Sequence, residues 1–202
     1  MSANHAAFNL IFRFVENYIS PIAGRISSQR HVMAIRDGFI SAMPFMIVGS
    51  FLLVFAYPPF SPDTTWGFAR AWLDLAKEFE GRILTPFDMT MGIMSIYICA
   101  AISYNLGKHY EKSNQLDPFM CAMLSIMAFL LIAAPKTNGT LPVDSLGGTG
   151  IFTAILVAIY CVEMMRFLKA HNIGIRLPDQ VPPMIQNSFD LLIPVLVVVL
   201  TL

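Results

Sequence analysis

Charge-free apolar runs recur along this chain, separated by short polar or proline-marked stretches. The first, Gly38 to Tyr57, holds twenty residues and no charged side chain. At 1.5 Å per residue, a helix of that length measures about 30 Å, the thickness of a bilayer's hydrocarbon core. Backbone in lipid must satisfy its own hydrogen bonds, and a helix does so. Pro44 lies inside the run and predicts a kink. The segment from Tyr57 to Pro62 ends it.

Three more runs predict spans over Thr85–Leu106, Pro118–Ala134 and Ile151–Leu168. A fifth, taken from Phe189 to Leu202, ends in LLIPVLVVVLTL. Its twelve residues fall short of the ~20 that cross a bilayer, so it reads as a helix cut short. Two other segments are amphipathic at helical spacing. Ala6–Ile22 puts Phe8, Ile11, Phe12, Val15 and Ile19 on one side, with Pro21 and Gly24 expected to break it. Asp63–Ile83 carries both tryptophans, Trp66 and Trp72, as an interfacial belt would, and is expected to lie flat on the outer surface. The fold expected is all-α and integral to the membrane: a polytopic bundle of four complete spans, a truncated fifth and two surface helices. Residues 1–37 form a cytoplasmic arm and 38–202 the membrane domain.

Charge placement orients this arrangement. Arg25, Arg30 and Arg36 precede the first span and act as topology determinants, holding the amino terminus in the cytoplasm. Nine Lys and Arg residues fall on predicted cytoplasmic segments and four on outer ones, although the outer loops are longer. Composition agrees, with 56% hydrophobic and 13% charged residues against about 25% charged in soluble domains. The formal net charge of zero gives no basic face for nucleic acid. No cleavable signal peptide is expected, because Arg13 and Glu16 interrupt the first apolar segment.

Candidate chemistry is sparse. Thr85 as N-cap, Pro86 at the first helical position and Asp88 at the third match a helix start; the alternative for Asp88 is an intramembrane binding carboxylate. Glu163 lies near the inner end of the fourth span with Arg166 three residues on. It forms either an interfacial charge pair or a functional group facing a cavity. Cys99, Cys121 and Cys161 sit in apolar runs as small hydrophobes. No metal spacing, phosphate loop, nucleophile elbow or Ser-His-acid set occurs, so no catalytic or metal residue and no cofactor are expected. Asn138-Gly139-Thr140 matches a glycosylation sequon, a pattern any surface loop can contain by chance.

Three stretches together carry a resemblance: QRHVMAIRDGFISAMPFMIVGSFLL, FDMTMGIMSIYICAAISYNL followed by DPFMCAMLSIMAFLLIAAP, and IRLPDQVPPMIQNSFDLLIP. The chain resembles the membrane component, IIC, of bacterial phosphotransferase-system sugar permeases of the lactose, cellobiose and diacetylchitobiose type. The resemblance implies uptake of a β-linked disaccharide across the bacterial plasma membrane, with phosphorylation by a phosphocysteine on a IIB partner. It also implies a homodimer, built mainly through the amino-terminal helices. The family's sugar-contacting histidine and glutamate belong to a later half, so no substrate-binding residue is assigned within these 202 residues. Arg36, Gly38, Pro44, Glu163, Pro182, Ser188 and Pro194 match as scaffold, and Glu163 would stabilise a helix contact within the dimer. Two other classes compete: a secondary transporter or channel using Asp88 or Glu163 as a proton or ion site, and a structural module without transport.

Overall fold

The structure is a computed structural model that describes residues 15–135, 142–174 and 182–202. Regular structure among these residues is helical throughout. A π-helical turn, Val15–Ile19, leads into α1 (Ser20–Ser27), followed by α2 (Arg30–Ala56) and α3 (Gly67–Asp88). Then come α4 (Met94–Asn114), α5 (Pro118–Ala133), α6 (Ile151–Ala170), α7 (Pro183–Asp190) and α8 (Leu192–Thr201).

Helix α4 is the axis of the bundle, because it packs against α2, α5 and α6. Its sequence explains why. Ile98, Ile102, Leu106 and Tyr110 recur every four residues, and none is more than 2% exposed. Cys99 and Ser103, both fully buried, widen that stripe until it can face three neighbours. Gly38 of α2 sits where the two backbones nearly touch. A Cβ there would collide with the Ile102 side chain and lie 2.9 Å from its backbone nitrogen. Small residues permit such approach, which is how membrane helices gain packing without a solvent-driven term between them.

The α4–α5 turn is tight and well capped. Gln115 takes a left-handed conformation at φ 53°, which ends α4. The Asp117 carboxylate then accepts from the backbone nitrogens of Phe119 (2.8 Å) and Met120 (3.2 Å). Pro118 occupies the first turn of α5, where a missing N–H costs nothing.

Two helical stretches, Arg30–Ala56 and Gly148–Ala170, are long and apolar enough to cross a membrane. Pro118–Ala133 and Leu192–Thr201 are shorter apolar helices. The α2 face bearing Ile40, Ile47, Val48, Phe51 and Phe55 is exposed along its length, as a lipid-facing surface is.

Several expectations need correction. Thr85 and Asp88 do not open a helix: both lie in the last turn of α3, and the next helix starts at Met94. The Thr85 hydroxyl donates to the Gly81 carbonyl at 2.9 Å, a bond made inside a continuing helix. Pro86 is accommodated within that helix. Pro21 and Gly24 do not break the amino-terminal helix either; α1 runs through both, with Pro21 in its first turn. Helix α2 begins at Arg30, so Arg30 and Arg36 are inside it. Arg25 closes α1. The amphipathic segment before residue 15, the sequon at Asn138 and residues 175–181 lie outside the described residues.

Helix α3 and the turn after it meet α2 at two levels. Trp72 Nε1 donates to the Phe55 carbonyl at 3.2 Å, near the end of α2. Further along, Thr90 and Met91 sit against Gly49. Between these contacts the chain descends about two turns of α2, roughly 10 Å.

Candidate functional site

Polar side chains converge at one end of the bundle, where α2 begins and α4 and α6 finish. The helical register explains the meeting. Tyr110 is the last member of the buried α4 stripe, so its ring points into the bundle. Glu163 and Arg166 are three residues apart on α6 and project on one face. Arg30 and His31 open α2.

The Glu163 carboxylate is the hub. Its Oε1 accepts from Tyr110 Oη at 2.7 Å and pairs with His31 Nε2 at 3.0 Å. Its Oε2 accepts from Arg166 Nη1 at 2.8 Å. Arg166 also donates to Tyr110 Oη at 3.3 Å, and its guanidinium carbon lies 4.6 Å from the Tyr110 ring centroid. The Arg30 guanidinium approaches the same ring at 5.4 Å. One carboxylate and one aromatic ring thereby tie three helices together, with cation–π attraction added to charge-assisted hydrogen bonds. The Glu163 side chain is 32% exposed and that of Arg166 41%, so water screens the network partially.

A second polar contact lies nearby. Lys169 Nζ donates to the Gln115 carbonyl at 2.8 Å and pairs with Asp190 at 3.4 Å, joining the end of α6 to the α4–α5 turn and to α7. These residues border a small cleft of about 160 Å³, lined also by Asn114, Asn172 and Pro194.

Chemically this is a brace. Both Glu163 oxygens are engaged by donors, so the carboxylate is not presented as a base to a solute. No nucleophile joins the group. Among the described residues, no set of three or more His, Cys, Asp or Glu side chains could hold a metal ion. All three cysteines are buried and unpaired as disulfides.

The predicted site residues are therefore dispersed. Glu163 makes the expected pair with Arg166, and two further partners come from sequence-distant helices. Its contacts in this structure run to α2, α4 and its own helix. Arg30 joins the same brace through Tyr110, whereas Arg36 pairs with its neighbour Asp37 at 2.8 Å. Thr85 and Asp88 lie apart, at the end of α3. His31 and Tyr110 were missed by sequence reasoning. The four-residue repeat from Ile98 to Tyr110 signals burial of the tyrosine, but nothing local signals its partner.

Comparison with known proteins gives this scaffold its family. The family model described as "Phosphotransferase system, EIIC" matches residues 36–202. The chain belongs to that family. It is 35% identical, over 93% of its length, to the cellobiose-specific EIIC component of Geobacillus stearothermophilus, of which it covers 43%. It is 31% identical, over 92%, to the lichenan permease IIC component of Bacillus subtilis, covering 42% of it. Among solved structures, it superposes on the transporter ChbC, the IIC component of the N,N'-diacetylchitobiose-specific phosphotransferase system, with a TM-score of 0.76. That match has 34% identity and covers 94% of this chain and 45% of the other. The chain thus spans less than half the length of these relatives. EIIC proteins are integral membrane permeases, and family membership places this chain in the membrane.

Proposed function

We propose that this chain is scaffold of a IIC permease that takes up a β-linked disaccharide, such as cellobiose, diacetylchitobiose or lactose, for phosphorylation by a IIB partner. The observation that carries this reading is the superposition on ChbC along nearly the whole chain. The relatives' names supply the substrate class. The topology proposed has an inside amino terminus and complete spans in α2, α4, α5 and α6, with α8 a shorter apolar helix beside them. It places the Glu163 brace at the cytoplasmic boundary, where long basic side chains reach headgroups and water. Assembly as a homodimer in the bacterial plasma membrane completes the proposal.

The brace serves this function by holding the inner ends of α2, α4 and α6 in register. Sugar recognition needs acceptors and donors aimed into a cavity, and Glu163 points its acceptors at its own bundle. The sugar contacts are accordingly assigned to other parts of the permease.

The test is uptake in cells whose own β-glucoside permeases are deleted and which express the gene encoding this segment, with IIB and the general phosphotransferase enzymes. Labelled cellobiose should accumulate as its phosphate and require phosphoenolpyruvate. Accumulation of free sugar driven by a proton gradient would favour the secondary-transporter reading. Absence of any uptake, with the protein present in the membrane, would favour a structural module.

A further inference from the structure

The outer end of α2 and the start of α4 lie at different levels along the bundle. Helix α2 carries its charged pair at Arg36–Asp37 and is then charge-free to its end at Ala56. That interval is long enough to fill the hydrocarbon slab by itself. The turn before α4 packs beside Gly49: a Cβ on Gly49 would stand 2.8 Å from Thr90 Oγ1 and would strike Met91. Phe45 stacks on Tyr97 one turn into α4, with ring centroids 4.5 Å apart. Helix α4 therefore starts about 10 Å short of the outer end of α2. The approach to α6 lies at the same level, since the Ser95 amide donates to the Leu146 carbonyl at 2.9 Å and its hydroxyl donates to the Gly147 carbonyl.

Non-helical backbone at that depth is tolerated only where protein buries it or water reaches it. Residues 89–93 form turns, and Met89 is 55% exposed. Asp88 adds a second, independent signal. It ends α3, where the helix dipole disfavours a carboxylate, and it is exposed. Among the described residues it has no ion-pair partner. An ionisable group with neither a partner nor water would not be stable at membrane depth.

We propose that the outer side of the bundle carries a water-filled notch, floored by residues 89–93 and the Leu146–Gly147 backbone, with Asp88 at its edge. The notch admits water to a level at which the exposed face of α2 still meets lipid. It rests on the proposed membrane topology and not on the identity of the sugar, so a failed uptake assay leaves it standing.

The test inverts depth and accessibility. Asp88→Cys, Met89→Cys and Val54→Cys are made singly in the chain expressed in bacterial membranes, and a charged, membrane-impermeant thiol reagent is added from outside. Val54 is 48% exposed on α2 and lies closer to the outer end than Gly49. The unsubstituted chain supplies the background, because Cys99, Cys121 and Cys161 are buried. Modification of positions 88 and 89, with position 54 unmodified, is the expected result. Loss of labelling at both 88 and 89 would overturn the notch. Labelling at all three would overturn it too, by showing that the slab sits lower and that α2 projects beyond it. Using two notch positions guards against one variant failing to fold.

Discussion

The two ends of this bundle are held by different means. At the inner end, Glu163 gathers His31, Tyr110 and Arg166 with long side chains that are about one third exposed or, for tyrosine, buried. At the outer end, where the approach to α6 meets α4, backbone groups carry the contact. Ser95 holds the Leu146 and Gly147 carbonyls, and Gly150 leaves no room for a methyl group beside the Ser145 carbonyl. Flexible side chains can re-aim when a partner changes, whereas a backbone contact cannot. The inner end should thus degrade gradually, and the outer end should fail on a single added carbon.

Gly150→Ala should have the largest effect. The new Cβ would overlap the Ser145 carbonyl oxygen, a backbone atom, and come within 3.1 Å of Ser95 Oγ. Overpacking of this kind costs about 3 kcal/mol at the upper end of its usual range. The expected result is a marked drop in the thermal aggregation midpoint of the detergent-solubilised protein. A midpoint equal to that of the parent would show that the loop yields, and that the outer end is no more rigid than the inner.

Glu163→Ala comes next. It leaves the Tyr110 hydroxyl and the Arg166 guanidinium without their acceptor, and partial exposure lets water compensate, so about 2 kcal/mol is expected. Glu163→Gln keeps one acceptor oxygen and should lose only about half as much. Destabilisation by Glu163→Ala should shrink as salt rises, because screening already weakens the parent's pairs. The effect of Gly150→Ala should not change with salt. If both variants respond equally to salt, the division between a charge-held and a backbone-held end is wrong.

How far the sequence disclosed this arrangement depends on how local each signal is. Long apolar runs are contiguous, so α5 and α6 were evident within two residues, as was the end of α2, although that helix begins eight residues before its apolar run. Pro118 was visible as a start. The boundary at Thr85–Asp88 misled because Thr-Pro-x-Asp satisfies a capping pattern locally, yet the same residues can end a helix that began upstream at Gly67. The break fell instead at residues 89–93, where glycine and methionine carry little positional information. The first apolar run is not the axis of the bundle. It is the longest helix, but three neighbours surround α4, whose lysines and histidine lower its apparent hydropathy. The brace was legible only as Glu163 with Arg166, since partners 53 and 132 residues away in sequence leave no local mark.

Tyr110→Phe sharpens the account of the inner end by separating hydroxyl from ring. The phenol donates to Glu163, while the ring face meets Arg166 and Arg30. Losing the hydroxyl alone should cost about 1 kcal/mol, with His31 and Arg166 still on the carboxylate. Tyr110→Leu, which also removes the ring, should cost more than Tyr110→Phe. Equal losses would mean that the guanidiniums gain nothing from the aromatic face.

The smallest effect tests whether the inner end relies on local capping as well as on the brace. Asp117→Ala removes the acceptor for the Phe119 and Met120 amides at the start of α5. N-cap losses usually cost about 1 kcal/mol, and Pro118, which fixes the first helical residue without needing an acceptor, should hold the cost to that level or below. Asp117→Asn retains an acceptor oxygen and should recover most of the loss, which thermal stability measured on the two variants side by side would show. If asparagine fails to rescue, the carboxylate's charge is what α5 needs, through the positive end of its helix dipole. The α4–α5 turn would then belong with the charge-held inner end rather than standing as an independent cap.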